Sequence, residues 1–291
     1  IAELNANPYD ILRKVEQEAQ EQIENPKIKF CLTDKIVDGR LKVDQAIIAG
    51  CAGGSFENLM EAAAIVNSRS LGNGDLTFSV YPSSQPIYLE LIKNGTAAQL
   101  MSAGAVLRTA FCGPCFGAGD VPANNSLSIR HSTRNFPNRE GSKPGEGQIS
   151  SVALMDARSI AATAVNGGFL TPATELDYVK PDLTYHFDGS IYKNRVYNGF
   201  GRPQKDRELR FGPNIADWPK MIPLQEHLIL KIASVITDPV TTTDELIPSG
   251  ETSSYRSNPL KLAEFTLARK DPQYVARAKA VRALELERQQ L

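Results

Sequence analysis

Three cysteines, Cys51, Cys112 and Cys115, are the residues of this chain whose type and spacing most plainly invite chemistry. The last two close the turn Cys112-Gly113-Pro114-Cys115, and the first follows Ala46-Ile47-Ile48-Ala49-Gly50, which reads as a strand turning into a helix. Thiolates converging from two turns can hold a metal centre and leave one position open. An iron–sulfur cubane needs soft sulfur ligands, and one held by three cysteines keeps an iron free for water or substrate, where it acts as a Lewis acid. Other chemistries use the same residues. Cys-Gly-Pro-Cys is also a redox motif of thioredoxin-like proteins, in which a low-pKa thiol starts a helix. Such a motif requires a continuous helix after it, whereas Phe116-Gly117-Ala118-Gly119-Asp120-Val121-Pro122 carries two glycines and a proline. A zinc site could take Cys31 or His131 as a fourth ligand, but the second cysteine pair of most zinc ribbons is missing. Reduced core thiols with no metal are the plainest alternative. Cys31, in Phe30-Cys31-Leu32, reads as such a small core residue.

These residues must be positioned by the elements around them. Asn7-Pro8 followed by Ile11, Leu12, Val15 and Ala19 supplies a cap, a first-turn proline and helical spacing. Short apolar runs then alternate with longer periodic ones: strands at 46–49, 77–81, 106–109 and 127–130, and helices at 55–67, 87–93 and 157–166. Such alternation predicts an α/β fold, an open and mostly parallel sheet with helices on both faces. The cysteines fall just beyond strand ends, where open α/β sheets place their ligand sites. From about 174 to 213 the chain turns polar, with Asp188-Gly189 and Asn198-Gly199, and reads as a hairpin or a long surface excursion. A linker at 218–223 and a strand-like run at 228–235 follow.

Composition bounds the function classes. The 291 residues are 42% hydrophobic, enough for a sizeable core, and 32 basic against 33 acidic residues give a net charge of −1. That balance offers no electrostatic case for nucleic acid or an anionic membrane, so an anionic substrate must be caught locally. Four cysteines are too few for a disulfide scaffold, and no apolar run of about twenty residues or secretory leader is visible, so a reducing cytoplasm is the expected compartment. The missing initiator methionine reads as the mark of a piece cut from a longer protein.

The motifs also carry a resemblance. Val43-Asp44-Gln45-Ala46-Ile47-Ile48-Ala49-Gly50-Cys51 resembles the strand and turn that deliver the first cluster cysteine in aconitase-type hydro-lyases, and the sixty residues between Cys51 and Cys112 are close to the family's gap. His131-Ser132-Thr133-Arg134-Asn135-Phe136-Pro137-Asn138-Arg139 resembles its substrate-binding segment. The similarity to the aconitase superfamily runs well over 36–174 and weakly over 222–250, where Thr241-Thr242-Thr243-Asp244 resembles the start of the mobile swivel domain. It implies a cluster-binding α/β domain over 1–215, and a linker with the beginning of a swivel-like region over 216–291. It further implies a hydro-lyase, similar to aconitate hydratase, that reversibly dehydrates a hydroxy di- or tricarboxylic acid. Cys51, Cys112 and Cys115 would hold a 4Fe-4S cluster and Arg134 and Arg139 the substrate, since guanidinium offers carboxylate a rigid fork. Thr133, Asn135 and Asp244 would support them. On composition alone, Arg134 and Arg139 are equally the solvated arginines of a basic loop that also holds Arg130 and Lys143.

The same resemblance puts the base, the rest of the first domains and most of the swivel outside these residues, so the piece alone is expected to be inactive, with the remaining domains as its partners. A thioredoxin-like oxidoreductase and an iron-responsive RNA-binding regulator are the alternatives; the neutral charge disfavours the second. His186 and His227 match no motif, and Ser253-Ser254-Tyr255-Arg256 is set aside because a tyrosine interrupts it. The chain also departs from the family: Ala52 and Gly53 stand where threonine and asparagine are usual, and Thr133 where asparagine is. Lost side-chain hydrogen bonds at those points imply a divergent hydratase branch.

Overall fold

The computed structural model describes residues 1–23, 25–72, 74, 76–133, 147–238, 241–248 and 252–290. Two compact units divide it, Ile1–Asn198 and Gly199–Leu291.

The first unit opens with α1 (Ala2–Ala6) and α2 (Pro8–Gln22), the latter starting on the expected proline and burying Pro8 and Leu12. A two-stranded ribbon, β1 (Ile36–Val37) and β2 (Arg40–Leu41), follows. The sheet consists of β3 (Gln45–Ile48), β4 (Thr77–Val80), β5 (Val106–Leu107), β6 (Leu127–His131) and β7 (Ser151–Leu154), all parallel, in the order β5-β4-β3-β6-β7. This is the α/β architecture that the alternation predicts, with one strand more than the apolar runs reveal. Around the sheet stand the short α3 (Gly50–Gly53), α4 (Phe56–Val66), α5 (Gln85–Lys93), α6 (Thr96–Ala103) and α7 (Ala157–Val165).

Alternation along the strands divides their side chains between two faces. Ala46, Ile48, Phe78, Val80, Leu127 and Ile129 join the main core with Leu59, Ala62 and Ile65 of α4 and Ile160 and Ala161 of α7. Gln45, Ile47, Ser79, Tyr81, Ser128 and Arg130 alternate with them and are buried as well. Arg130 therefore does not belong to a solvated basic loop. It sits in β6, 2% exposed.

Between β3 and α4 the backbone is crowded. A Cβ on Gly53 would stand 2.0 Å from the His131 carbonyl oxygen, and one on Gly54 2.1 Å from that of Tyr81. The Ser55 hydroxyl then caps α4 by accepting from the Asn58 amide at 3.3 Å. Gly53, where the family usually has asparagine, is thus required here by the close passage of β6.

The second unit holds α9 (Thr243–Leu246), α10 (Pro259–Ala263) and α11 (Tyr274–Arg288), while α8 (Ser190–Arg195) lies in the first unit. No strand follows β7 among the described residues. Of the two forms expected for 174–213, the hairpin is absent among the described residues and the surface excursion is present, as a 3-10 turn at Ala173–Glu175, α8 and largely exposed irregular chain; the strand-like run 228–235 is mostly exposed coil. Strands need pairing partners for their backbone groups, and apolar content alone does not supply them. No helix among the described residues is long and apolar enough to cross a membrane.

Gly53→Ala is expected to lower the stability of the first unit by about 3 kcal/mol, the upper end of ordinary overpacking costs, because the obstacle is backbone. Urea unfolding followed by fluorescence measures it. A cost comparable with that of Ser55→Ala, about 1 kcal/mol for a lost cap, would mean the turn moves freely.

Candidate functional site

In a parallel sheet the crevice lies where strand order reverses, outside the C-terminal ends of the strands. Here that point is β3, flanked by β4, which follows it along the chain, and by β6, which the chain reaches only after β5. The ladder between β3 and β6 pairs Ile48 with His131 and continues as the Ala49 amide donates to the His131 carbonyl at 2.9 Å. The next residues on each side form the floor of the crevice. Gly50 takes φ +72, a left-handed conformation that turns the chain into α3 and leaves Cys51 exposed. Cys51 Sγ lies 3.0 Å from Thr133 Oγ1.

The second cysteine turn closes onto the same place. Cys112 precedes a 3-10 helix at Gly113–Phe116, the Cys115 amide donates to the Cys112 carbonyl at 2.8 Å, and Gly117 ends the turn at φ +74. No α-helix follows, contrary to what a thioredoxin-like motif needs. Cys115 is buried and Cys112 exposed. A Cβ on Gly50 would stand 3.1 Å from Cys115 Sγ and 3.7 Å from Thr133 Oγ1, so a glycine keeps the space between the two cysteine turns open. Among the described residues no group of three or more His, Cys, Asp or Glu side chains is gathered closely enough to hold a metal ion. The donors nonetheless suit a sulfur-ligated cluster in kind: three thiols on short turns at the open end of the sheet, beside a glycine cradle.

The other expected site residues divide. Thr133 is at the crevice. Arg134, Asn135 and Arg139 lie outside the described residues, although Arg134 is the next residue after Thr133. Asp244 is in α9 of the second unit, where its carboxylate accepts from Arg269 Nη1 at 2.9 Å. Cys31 is half-buried, with its sulfur 3.6 Å from Thr33 Oγ1. His186 pairs with Glu90 across 3.3 Å in the first unit.

Beneath the Cys112–Cys115 turn lies a polar group that the motifs did not reveal. Arg130 Nη1 donates to the Pro114 carbonyl at 3.1 Å, Nη2 to Gln45 Oε1 and to the Asp120 carbonyl at 3.1 Å each, and Nε to Ser128 Oγ at 2.9 Å. Asp120 in turn accepts from the Ser79 hydroxyl at 3.0 Å and from the Tyr81 hydroxyl, and pairs with Arg108 at 3.4 Å. Burial and then the Asp120 hydrogen bond push the Tyr81 phenol well above its ordinary range, so it remains a donor. Alternation of Ser128 and Arg130 with Leu127 and Ile129 was the available signal, but it reads equally as a face open to water.

His131 closes β6 with its Nδ1 buried and unpartnered. Burial holds the imidazole below its ordinary value, and the Asp156 carboxylate only partly opposes this. The folded chain therefore binds this proton more weakly than the unfolded one. Stability is full above the unfolded value of about 6.5 and falls as the pH drops from there through the folded value. Thermal melts between about pH 7.5 and about pH 5.5 are expected to show a Tm that falls with acid, and falls less in His131→Gln. Equal slopes in the two proteins would assign the effect to another group.

The aconitase family (aconitate hydratase) matches residues 3–162, more than half of the chain. A 3-isopropylmalate dehydratase large subunit from Thermoanaerobacter pseudethanolicus is 32% identical over 129 residues, 44% of this chain and 31% of that protein. A probable methanogen homoaconitase large subunit from Methanothermobacter thermautotrophicus is 34% identical over 134 residues, 46% of this chain and 30% of that protein. A 3-isopropylmalate dehydratase large subunit from Mycolicibacterium smegmatis is 36% identical over 121 residues, covering 41% and 28%. The matched part thus spans less than a third of the length of these relatives. With three thiols on the turns where its sheet opens and a family match that runs through β3, both cysteine turns and β6, the chain belongs to the aconitase family.

Proposed function

We propose that the chain is the cluster-carrying part of a hydro-lyase that reversibly dehydrates a hydroxy di- or tricarboxylic acid. The observation that carries this reading is the meeting of Cys51, Thr133 and the glycine-lined space beside Cys115 at the switch point of the sheet. Relatives named for 3-isopropylmalate dehydration and for homoaconitase support the reaction class.

Cys51, Cys112 and Cys115 would hold a 4Fe-4S cluster, which supplies a Lewis-acid iron that eases loss of the substrate hydroxyl. The remaining work falls to this chain's side chains. Thr133 fixes the Cys51 sulfur through their contact of 3.0 Å and so fixes where the thiolate points. Arg134 and Arg139 receive the substrate carboxylates, orienting them and offsetting their charge. Because several relatives are named as large subunits, the site is completed in the whole protein by a further subunit or domain.

The test uses the whole protein, purified anaerobically. Iron and sulfide are expected in equal amounts, near four of each per chain, and each of Cys51→Ser, Cys112→Ser and Cys115→Ser is expected to lower both. Dehydration assays on a panel of hydroxy di- and tricarboxylates follow. Arg139→Lys is expected to lower kcat/KM on the best substrate roughly tenfold, since one bidentate contact is lost. Wild-type protein that takes up neither iron nor sulfide, or that turns over none of the panel, would overturn the assignment.

A further inference from the structure

The family motifs account for the cysteines and the arginine segment, but not for a buried guanidinium beneath the Cys112–Cys115 turn. Arg130 is 2% exposed, on a strand, and four of its hydrogen bonds are spread over three separate stretches of chain: β3 through Gln45, β6 through Ser128, and the loop after β5 through the carbonyls of Pro114 and Asp120. Pro114 lies inside the Cys112–Cys115 turn. Reaching its carbonyl together with Gln45, Ser128 and the Asp120 carbonyl takes a long side chain whose donors fan out in a plane, which describes arginine and not lysine. Asp120 lies further along the same loop. Its carbonyl accepts from both Gln45 Nε2 and Arg130 Nη2, at 3.1 Å each, and its carboxylate accepts from Ser79 and Tyr81. The segment that carries two of the three thiols is thus pinned to the sheet at Pro114, between them, and at Asp120, after them.

We propose that Arg130 is a positioning residue for the cysteine site: through Pro114 and Asp120 it holds the Cys112–Cys115 turn against β3 and β6, and so keeps Cys115 beside Gly50. It touches neither substrate nor iron. A guanidinium of this kind retains its charge at any working pH, so the clamp does not loosen with protonation. What it resists is the turn lifting from the sheet, which would expose Cys115 and widen the space between the two cysteine turns. The role of this turn as a cluster ligand rests on the function proposed above; the clamp itself does not.

The experiment has two arms, both on the whole protein, with Arg130→Met, Arg130→Lys and Ser128→Ala compared with wild type. In the first, metal-free protein is treated with a small maleimide, and alkylation of each cysteine is followed by mass spectrometry. Arg130→Met is expected to raise the rate at Cys115 tenfold or more and leave Cys31 unchanged. Arg130→Lys is expected to restore only part of the protection, since one ammonium cannot reach both carbonyls and Gln45. In the second arm, protein reconstituted with ferrous iron and sulfide is challenged with a chelator, and the decay of the cluster absorbance gives the rate of iron loss. It is expected to be at least tenfold faster in Arg130→Met.

Wild-type rates in both arms for a folded Arg130→Met would overturn the clamp. If Arg130→Met does not fold, Ser128→Ala decides: it removes the acceptor at 2.9 Å from Nε, and faster Cys115 alkylation supports the proposal while an unchanged rate refutes it. Wild-type protein that binds no iron would refute the cluster reading alone, because the alkylation arm still reads the clamp.

Discussion

The register of β3 against β6 is the constraint on which the rest of the site depends. Ile47 stands opposite Arg130 and Ile48 opposite His131. In this register the two strands run out together, so that Cys51 and Thr133 meet just beyond their ends. A slip by one residue would exchange the faces of one strand. Ile129 would then press into the polar network and Arg130 into the core of Leu59 and Ile160. Placing a guanidinium there without partners is costly by several kcal/mol, and this fixes the pairing more firmly than the short strands could alone. The Asp44 carboxylate adds to it by accepting from the Leu127 amide at 2.8 Å at the start of β6.

The two faces of the sheet are buried by different physics. One is packed with aliphatic side chains from α4 and α7, where contacts are adaptable and their worth follows the area removed from water. The other is a set of directed bonds, Gln45 to Ser128 to Arg130 to the loop carbonyls, in which each donor has a specified acceptor. Adaptable packing tolerates small shifts; a chain of hydrogen bonds does not, because one displaced member leaves another buried and unpaired. The rigid face is the one beneath the Cys112–Cys115 turn. The adaptable face is the one beneath the helices.

Much of this was legible in the sequence, and the losses have physical causes. The strands of β3, β4 and β6 and the helices α2, α4, α5 and α7 announce themselves by apolar runs, periods and caps, because their burial is one-sided or complete in a simple way. The Cys112–Cys115 turn and the glycines around Cys51 announce the site. Edge strand β7 does not: Ser151-Val152-Ala153-Leu154 is four residues long, half exposed, and indistinguishable from loop without its neighbour. Leu228-Ile229-Leu230 misleads in the opposite sense, an apolar run that the chain leaves in irregular backbone. Arg130 was invisible for a further reason. In the pattern Leu127-Ser128-Ile129-Arg130 the polar positions read as solvent-facing, and only the loop folded over them, which meets Arg130 from 10 and 16 residues earlier in the chain, makes them interior.

The departures from the family pattern then acquire a common explanation. Ala52 and Gly53 give up side-chain hydrogen bonds next to the first cysteine, but Gly53 does so because the β6 carbonyl at His131 passes where its Cβ would be. With β6 that close, the hydroxyl of Thr133 reaches the Cys51 sulfur directly. The tight approach in turn needs β6 held down, and the strand is held by its own Ser128 and Arg130 through Gln45 of β3. Polar support for the first cysteine turn thus comes from β6 through Thr133, and β6 owes its place to the bonds of Ser128 and Arg130 with Gln45 beneath it.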